Sequence, residues 1–458
     1  MATMDAQADE PRPGSDATTS GYVLPQSTRM LYGVSDIGVN ILVVSSVLVT
    51  FAYLTTVLGV QPGIAGTMLL LAKVWDVVTD PLIGRWSDAT TSNMGRRRPW
   101  ILVGAILMAI GFAAMFAAPF EGASPNVQGL YFVLAMMFTF TAFTMVGVPY
   151  GAMTPELTPD YHERTNLTAW RMGFGSIGLL IGGAGAPILV GMFGGGVEGH
   201  RMMALALIPV IALPSLLTVW GTRNVRSINA DPQPPVSFGE QLRIVRANKP
   251  FMLLAGLYLI QVGMMAQITA GLILACAYIF KAEDPNGLLT IMYGLFVIST
   301  IAAMPIWLII GKRISKKQAY LAGGIIFIIA TCCIALMNEN TMPAAYALMI
   351  IIGIGYAAYQ IFPWSMLADT ITHAKSYTDE PVEGLFNGYW TAFQKTGIAL
   401  GPFVIGLVLQ AAGYVPSTDG TFPQQTDTAV TALRYGISVV PAVIFGITLF
   451  GVARYPLK

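Results

Sequence analysis

The chain has 458 residues, 55% of them hydrophobic and only 11% charged, with a formal net charge of +1. Soluble domains carry roughly 25% charged residues, so the composition excludes an ordinary soluble protein, and the near-zero net charge argues against a nucleic-acid partner. Glycine is abundant at 48 residues, as expected where helices pack closely within a bilayer.

Residues 1–28 are polar, rich in Ser, Thr, Pro and acidic residues, and lack the apolar core of a signal peptide. They are expected to form a disordered cytoplasmic tail, leaving the first span to act as the insertion signal. Twelve apolar segments then approach or exceed the ~20 residues that a membrane helix needs. They cover 31–59, 63–84, 99–119, 129–153, 165–192, 202–222, 250–280, 286–311, 318–337, 342–368, 384–412 and 429–452. The polar stretch 223–249, with its Asp-Pro-Gln-Pro-Pro run, separates spans 6 and 7. The expected architecture is an all-α membrane protein: an N-terminal six-helix bundle over 29–222, a cytoplasmic loop over 223–249 and a C-terminal six-helix bundle over 250–458.

Lysine and arginine placement sets the orientation. With the N-terminus inside, only Arg201, Lys281 and Arg434 fall on outer segments, and Lys73, Arg171 and Lys395 fall within spans. The expected topology has both termini cytoplasmic. Cys276, Cys332 and Cys333 all lie in apolar runs and suggest packing rather than a disulfide framework or metal site. His162, His200 and His373 are not grouped as ligands.

Span 2 holds the most informative residues. Lys73, Asp76 and Asp80 lie in an apolar run, and spacings of three and four place them on one helical face. A carboxylate at membrane depth costs roughly 2.5–3.5 kcal/mol on the gentlest scale. That face must therefore meet protein, water or an ion. Two adjacent acids are a costly way merely to hold helices together, which weighs against a purely structural ion-paired knot with Lys73.

The loop after span 2 reads Gly84-Arg-Trp-Ser-Asp88, then Gly95-Arg96-Arg97-Arg98-Pro99-Trp100. Its acid and arginines can pair with neighbouring helix ends, so Asp88, Arg96, Arg97 and Arg98 are gating candidates. A fainter echo, Gly311-Lys-Arg-Ile-Ser-Lys-Lys317, follows span 8 and supports an internal repeat. For this second loop, positive-inside anchoring and a gating role both stand.

The run from Lys73 to Asp88, with the following Gly-Arg-Arg-Arg-Pro-Trp, resembles the glycoside–pentoside–hexuronide:cation symporters of the major facilitator superfamily, and is melibiose permease-like. Similarity extends from Tyr32 to about Arg454, with Leu367-Ala368-Asp369 and Gln394-Lys395-x-Gly397 as further landmarks. The loop also looks like that of sucrose–proton symporters. The resemblance implies the two-bundle major facilitator fold and a coupling cation, Na+, Li+ or H+, at Asp76 and Asp80. These would be the metal ligands if the ion is Na+. Thr79 stands where melibiose permeases have an asparagine ligand, and Thr144 matches a family threonine on span 4. Two carboxylates with hydroxyl oxygens suit a hard monovalent cation, or a proton shared between like charges.

On the substrate side the resemblance points to Lys395 on span 11, too deep in its span to snorkel comfortably, and to Arg171 on span 5. The pattern departs from the family elsewhere. The first-span acid is replaced by Asn40, with Asp36 one turn earlier. The fourth-span acid aligns with Gly147, the tryptophan four residues later with Gly151, and the tenth-span tryptophan with Gln360. Asn40, Gln360, Trp390 and Thr391 remain candidates to bind hydroxyls or stack on a sugar face. Tyr356, Tyr359, Trp364 and Tyr389 read individually as belt or packing residues.

The expected function is cation-coupled symport of a glycoside or related sugar across the cell (inner) membrane by alternating access. The expected partners are a small-molecule substrate, a monovalent cation and the lipid bilayer, with no cofactor, no nucleic acid and a monomeric state. The alternative is a cation-coupled transporter of an amphiphilic or lipid-like cargo. An enzyme would need a clustered nucleophile–base pair or metal constellation, and the sequence offers neither.

Overall fold

The computed structural model of the protein describes residues 24–120, 122–158, 160–225, 238–378 and 382–456. Twelve helices are long and apolar enough to cross a membrane. They are span 1 (Gln26–Leu48), span 2 (Pro62–Ala89), span 3 (Arg98–Met115), span 4 (Pro125–Leu157), span 5 (Glu163–Met192) and span 6 (Gly196–Thr222). The second half holds span 7 (Lys249–Tyr278), span 8 (Pro285–Arg313), span 9 (Lys316–Leu336), span 10 (Glu339–Ala374), span 11 (Glu383–Ala411) and span 12 (Asp427–Ala453).

Several helices run past the apolar runs that reveal them, because polar residues continue a helix once it leaves the hydrocarbon. Span 4 reaches Leu157, and span 10 reaches Ala374. Two expectations need correcting for the same reason. Most of the 1–28 tail, residues 1–23, lies outside the described residues, but 26–28 already belong to the helix that opens span 1. Within the expected 223–249 loop, Phe238–Ala247 forms a helix, and residues 226–237 lie outside the described residues. That helix is amphipathic: Ile244 and Val245 are buried, whereas Arg243 and Arg246 face away. Its apolar residues are too few to signal a span.

Helix packing repeats between the halves. In the first half span 3 packs on spans 4 and 6, span 2 on span 4, and span 1 on spans 5 and 6. In the second half span 9 packs on spans 10 and 12, span 8 on span 10, and span 7 on spans 11 and 12. Adding six to each number in the first set yields the second. This is the signature of two six-helix bundles related by a pseudo-two-fold axis. Between bundles, span 2 meets span 11, span 5 meets span 8, and span 1 meets span 7.

The two symmetry-related seams differ in chemistry. Where span 5 meets span 8 the contact is tight and largely apolar. The helix loosens into a π-turn at Ile181–Gly185, and Gly183 lies against the Tyr293 ring, so that a methyl group there would run into it. Thr290 donates to the Ala184 carbonyl at 3.2 Å. The span 2–span 11 seam carries the charges of the candidate site.

The halves are joined most firmly at the end away from the basic loops. Span 1 continues beyond Leu48 and ends in a π-turn, Tyr53–Val57. A helix end leaves carbonyls without intrahelical partners. Here the segment between spans 11 and 12 supplies them: Ser417 N–H donates to Thr55 O at 3.0 Å, and Gly420 N–H to Thr56 O at 2.9 Å. Gly420 has a φ of +79°, and its Cα faces Gly196 so closely that an added Cβ would lie 2.6 Å from the Gly196 Cα. Gln410 accepts from Gly63 N–H at 2.9 Å. Toward the basic end the walls separate: side chains added at Gly147 or Gly151 of span 4, or at Gly388 of span 11, would meet nothing within 4 Å.

Candidate functional site

Asp76 is fully buried, and its carboxylate is saturated by three partners from three helices. Lys73, one turn earlier on span 2, donates to Oδ2 at 3.1 Å. Lys395 of span 11 donates to Oδ1 at 3.0 Å, and the Thr144 hydroxyl of span 4 lies 3.2 Å from the same oxygen. Asp80, one turn further along, takes Lys395 on both oxygens at 2.9 and 2.7 Å, with Thr144 Oγ1 3.0 Å from Oδ1. Lys73 also lies over the Phe140 ring, 3.7 Å from its centroid.

The geometry follows from the helical repeat. Residues 73, 76 and 80 share a face, and that face turns toward span 4 and the opposing bundle. A buried ion pair offsets its desolvation only when the remaining lone pairs and protons are also bonded. In this knot two ammonium groups match two carboxylates, and the Thr144 hydroxyl and the Phe140 ring add further contacts. Lys395 Nζ touches Asp76 Oδ1 and both Asp80 oxygens, with the Thr144 hydroxyl on the same rim. A small cation coordinated by these oxygens would occupy the position the ammonium now holds.

Thr79 is buried beside the acids, but its hydroxyl donates to the Asp76 backbone carbonyl at 3.0 Å. Only its lone pairs are left to face a ligand.

A second charged group sits in the first bundle. Arg171 donates to Asp36 Oδ2 at 2.7 Å, and Tyr150 donates to the same oxygen at 2.9 Å. The guanidinium lies over the Tyr150 ring, 4.4 Å from its centroid. Asn40 donates to the Asp36 backbone carbonyl at 2.8 Å, on the same stretch of span 1. The structure thus brings Asn40 and Arg171 together around Asp36 and Tyr150. An acid inside an apolar span was the available signal for Asp36. Tyr150 gave none, since a tyrosine in a membrane helix reads as packing.

In the second bundle the substrate candidates fall apart. Trp390, expected at the cavity wall, is fully buried. It stacks on Tyr258 with ring centroids 4.3 Å apart and meets Trp364 edge-on at 5.7 Å. Its indole N–H has no partner among the described residues. Trp364, which read as packing, is the exposed member of the pair at 40%. The reason is a third element: Tyr258 of span 7 covers the Trp390 face, and no pattern within span 11 reveals that. Gln360 is half-buried on span 10, and the Thr391 hydroxyl donates to the Asn387 carbonyl at 3.0 Å.

The gating candidates bind within the first bundle rather than across to the second. Arg96 and Arg97 both reach Glu156 at the end of span 4, at 2.7 and 3.0 Å. Arg97 also pairs with Asp88 at 2.5 Å and donates to Ser87 Oγ at 2.7 Å. Arg98 caps the end of span 6, donating to Thr222 O at 2.6 Å and Val225 O at 2.8 Å. Glu156 was missed, because an acid at a helix end resembles any solvated residue. The symmetry-related position carries its own pair, Lys316 with Asp369 at 2.8 Å.

Residues 31–458 match the family described as MFS/sugar transport protein. The chain belongs to that family. Among similar proteins is the human sodium-dependent lysophosphatidylcholine symporter 1, 27% identical over 87% of this chain and 77% of its own length. Another is the isoprimeverose transporter of Lactiplantibacillus pentosus, 26% identical over 94% of this chain and 89% of its own. Among solved structures, a bacterial homolog of the human lysosomal transporter Spinster, in an inward-facing and occupied conformation, aligns with a TM-score of 0.66. It is 14% identical and covers 93% of this chain and 95% of that one, a likeness of fold alone. This MFS/sugar transport family member is therefore an integral membrane transporter-type protein of the major facilitator fold.

Proposed function

We propose that the protein is a cation-coupled symporter that carries a glycoside or related sugar across the cell (inner) membrane by alternating access. One observation carries this reading: Lys395 of one bundle reaches across to Asp76 and Asp80 of the other, on the oxygens a coupling cation would use. An ionic contact between bundles, exchangeable for Na+, Li+ or H+, ties cation occupancy to their relative position.

The basic loops support a cytoplasmic placement for their end, with both termini inside. On this placement the latched end is the outer one. A cation would bind Asp76 and Asp80 with Thr144, assisted by Thr79, and displace Lys395. Substrate would bind between Asn40 and Arg171 on one side and Gln360, Thr391 and Lys395 on the other. Cation and substrate would each raise affinity for the other by the same factor. Asp88 and Arg96 to Arg98 would hold the first bundle's inner rim as a unit while the bundles rock. No chemical step is part of this reading, and a monomer suffices for it.

The name of the human relative supports a second reading, an amphiphilic cargo in the same cavity. Counterflow in proteoliposomes separates the two: a panel of oligosaccharides and lysolipids is screened with and without sodium at fixed pH. A sodium-stimulated sugar signal is expected, and a signal from lysolipids alone would favour the second reading. No signal from any solute would sink both.

A further inference from the structure

The two basic loops differ in what holds their charges. In the first bundle Arg96 and Arg97 bond Glu156, and Arg98 bonds the end of span 6. In the second, Lys316 takes both oxygens of Asp369 at 2.8 Å. Lys312, Arg313, Lys317 and Arg454 form no ion pair among the described residues, and neither 285–338 nor 428–458 contains an Asp or Glu. Two of these four cations are drawn together at the membrane edge. Lys317, in the first turn of span 9, donates to the Tyr455 carbonyl at 3.1 Å, one residue from Arg454. Its ammonium keeps two further N–H donors. The Arg454 guanidinium lies over the Phe450 ring, 4.0 Å from its centroid. Phe450, Ile447 and Val443 are each more than half exposed, and spacings of three and four put them on one face of span 12. Ile325 and Ile329 of span 9, which packs on span 12, are exposed likewise. A guanidinium held over that ring stands at the rim of an outward-facing apolar surface, the level of lipid headgroups.

We propose that Lys317 and Arg454 form a binding site for an anionic phospholipid. Its phosphate bridges the ammonium and the guanidinium, and an acyl chain lies along Phe450, Ile447 and Val443. Lys312 and Arg313 add to the local positive field. The lipid supplies the negative charge that spans 8, 9 and 12 lack at this end, as Glu156 and Asp88 do for the first bundle. Cations clustered beside a span favour anionic over zwitterionic headgroups. The site involves neither the acids of span 2 nor the solute cavity, so it stands whatever the cargo and the coupling ion.

Native mass spectrometry of the full chain in detergent tests the site, with equal amounts of dioleoylphosphatidylglycerol and dioleoylphosphatidylcholine added. The two lipids share their acyl chains and phosphate and differ in net charge. The wild type should retain the anionic lipid about tenfold over the zwitterionic one. The pair Lys317→Gln and Arg454→Gln should bring that ratio to parity. Lys317→Arg with Arg454→Lys, which keeps both charges, should preserve the preference. So should Arg243→Gln with Arg246→Gln, which removes two exposed charges from the helix Phe238–Ala247. Parity in the wild type overturns the proposal. Equal loss in the Arg243 and Arg246 pair also overturns it, because any surface charge would then serve. Displacement of the lipid by inorganic phosphate or polyglutamate assigns the patch to a soluble anion and overturns the lipid.

Discussion

The Lys395 ammonium lies 2.7 Å from Asp80 Oδ2 and 3.0 Å from Asp76 Oδ1, joining span 11 of the second bundle to both acids of span 2. It is an internal cation on a tether, occupying the site that the proposed coupling cation would take. The pseudo-symmetric seam, Thr290 to Ala184 and Gly183 to Tyr293, has no such charge. The interbundle charge is therefore concentrated on one of two otherwise equivalent contacts.

Replacing Lys395 by methionine keeps most of the length of the side chain and removes its charge. Without added cation, two carboxylates then share Lys73 alone. Breaking a buried pair costs about 3–5 kcal/mol, here reduced because Asp80 is reached by solvent. The melting temperature of Lys395→Met should fall in cation-free buffer and recover when Na+ or Li+ is added. A wild-type response to cation would contradict the competition between lysine and ion.

Thr144 offers its hydroxyl to both acids. A hydrogen bond to a charged group contributes about 1.5–3 kcal/mol. Thr144→Val, similar in shape, should weaken cation binding at least tenfold by calorimetry, whereas Thr144→Ser should retain most of it. Equal loss in both variants would assign Thr144 to packing.

How much of this was legible before the fold was known depends on what each residue depends on. Asp76, Asp80 and Lys395 announce themselves, since a charge in an apolar run is anomalous whatever surrounds it. Their meeting needs only the two-bundle arrangement. Trp390 misled because its burial is decided by Tyr258, on a helix more than a hundred residues away in the chain. Glu156 and the Ser417–Gly420 turn were silent for a different reason. A polar residue at a helix end or in a loop has the same local pattern whether it is solvated or bonded across the molecule. The Phe238–Ala247 helix was obscured by the proline-rich residues before it.

Arg98 fixes the end of span 6 through a fork: one Nη reaches Thr222 O and Val225 O, and the other reaches Met94 O at 2.9 Å. Lysine offers a point charge and cannot reproduce these directions. Arg98→Lys should lower stability by about 1–3 kcal/mol, read as a drop in melting temperature in detergent. Retention of the wild-type value would show that charge alone suffices there.

The outer latch depends on Gly420, which combines a positive φ with close approach to Gly196. Gly420→Val should release Ser417 and Gly420 from Thr55 and Thr56. Thiol labelling of Asn286→Cys, which borders the space behind the latch, is then expected to rise several-fold from the outside. Unchanged labelling would mean that the latch is not what closes this end.

The same labelling assay should be indifferent to ordinary acidity. Asp419 in the latch turn accepts from the Ser417 hydroxyl and from the Thr421 hydroxyl and N–H, and these bonds hold its carboxyl at about 2. A depressed carboxyl stabilises the turn above its unfolded value of about 3.9, and that contribution is lost as pH falls through about 2. The ratio of labelling with the native latch to labelling in the Gly420→Val background, which cancels the thiolate's own fall with pH, should stay flat from neutral pH down to about pH 4. A rise at mild acidity would point to another group.

The central claim is that Asp76 and Asp80 couple cation to solute. It is tested most directly by cation-gradient-driven accumulation in proteoliposomes of the Asp76→Asn and Asp80→Asn variants. Accumulation above equilibrium should disappear in both. Accumulation at the wild-type level in either variant would contradict the account.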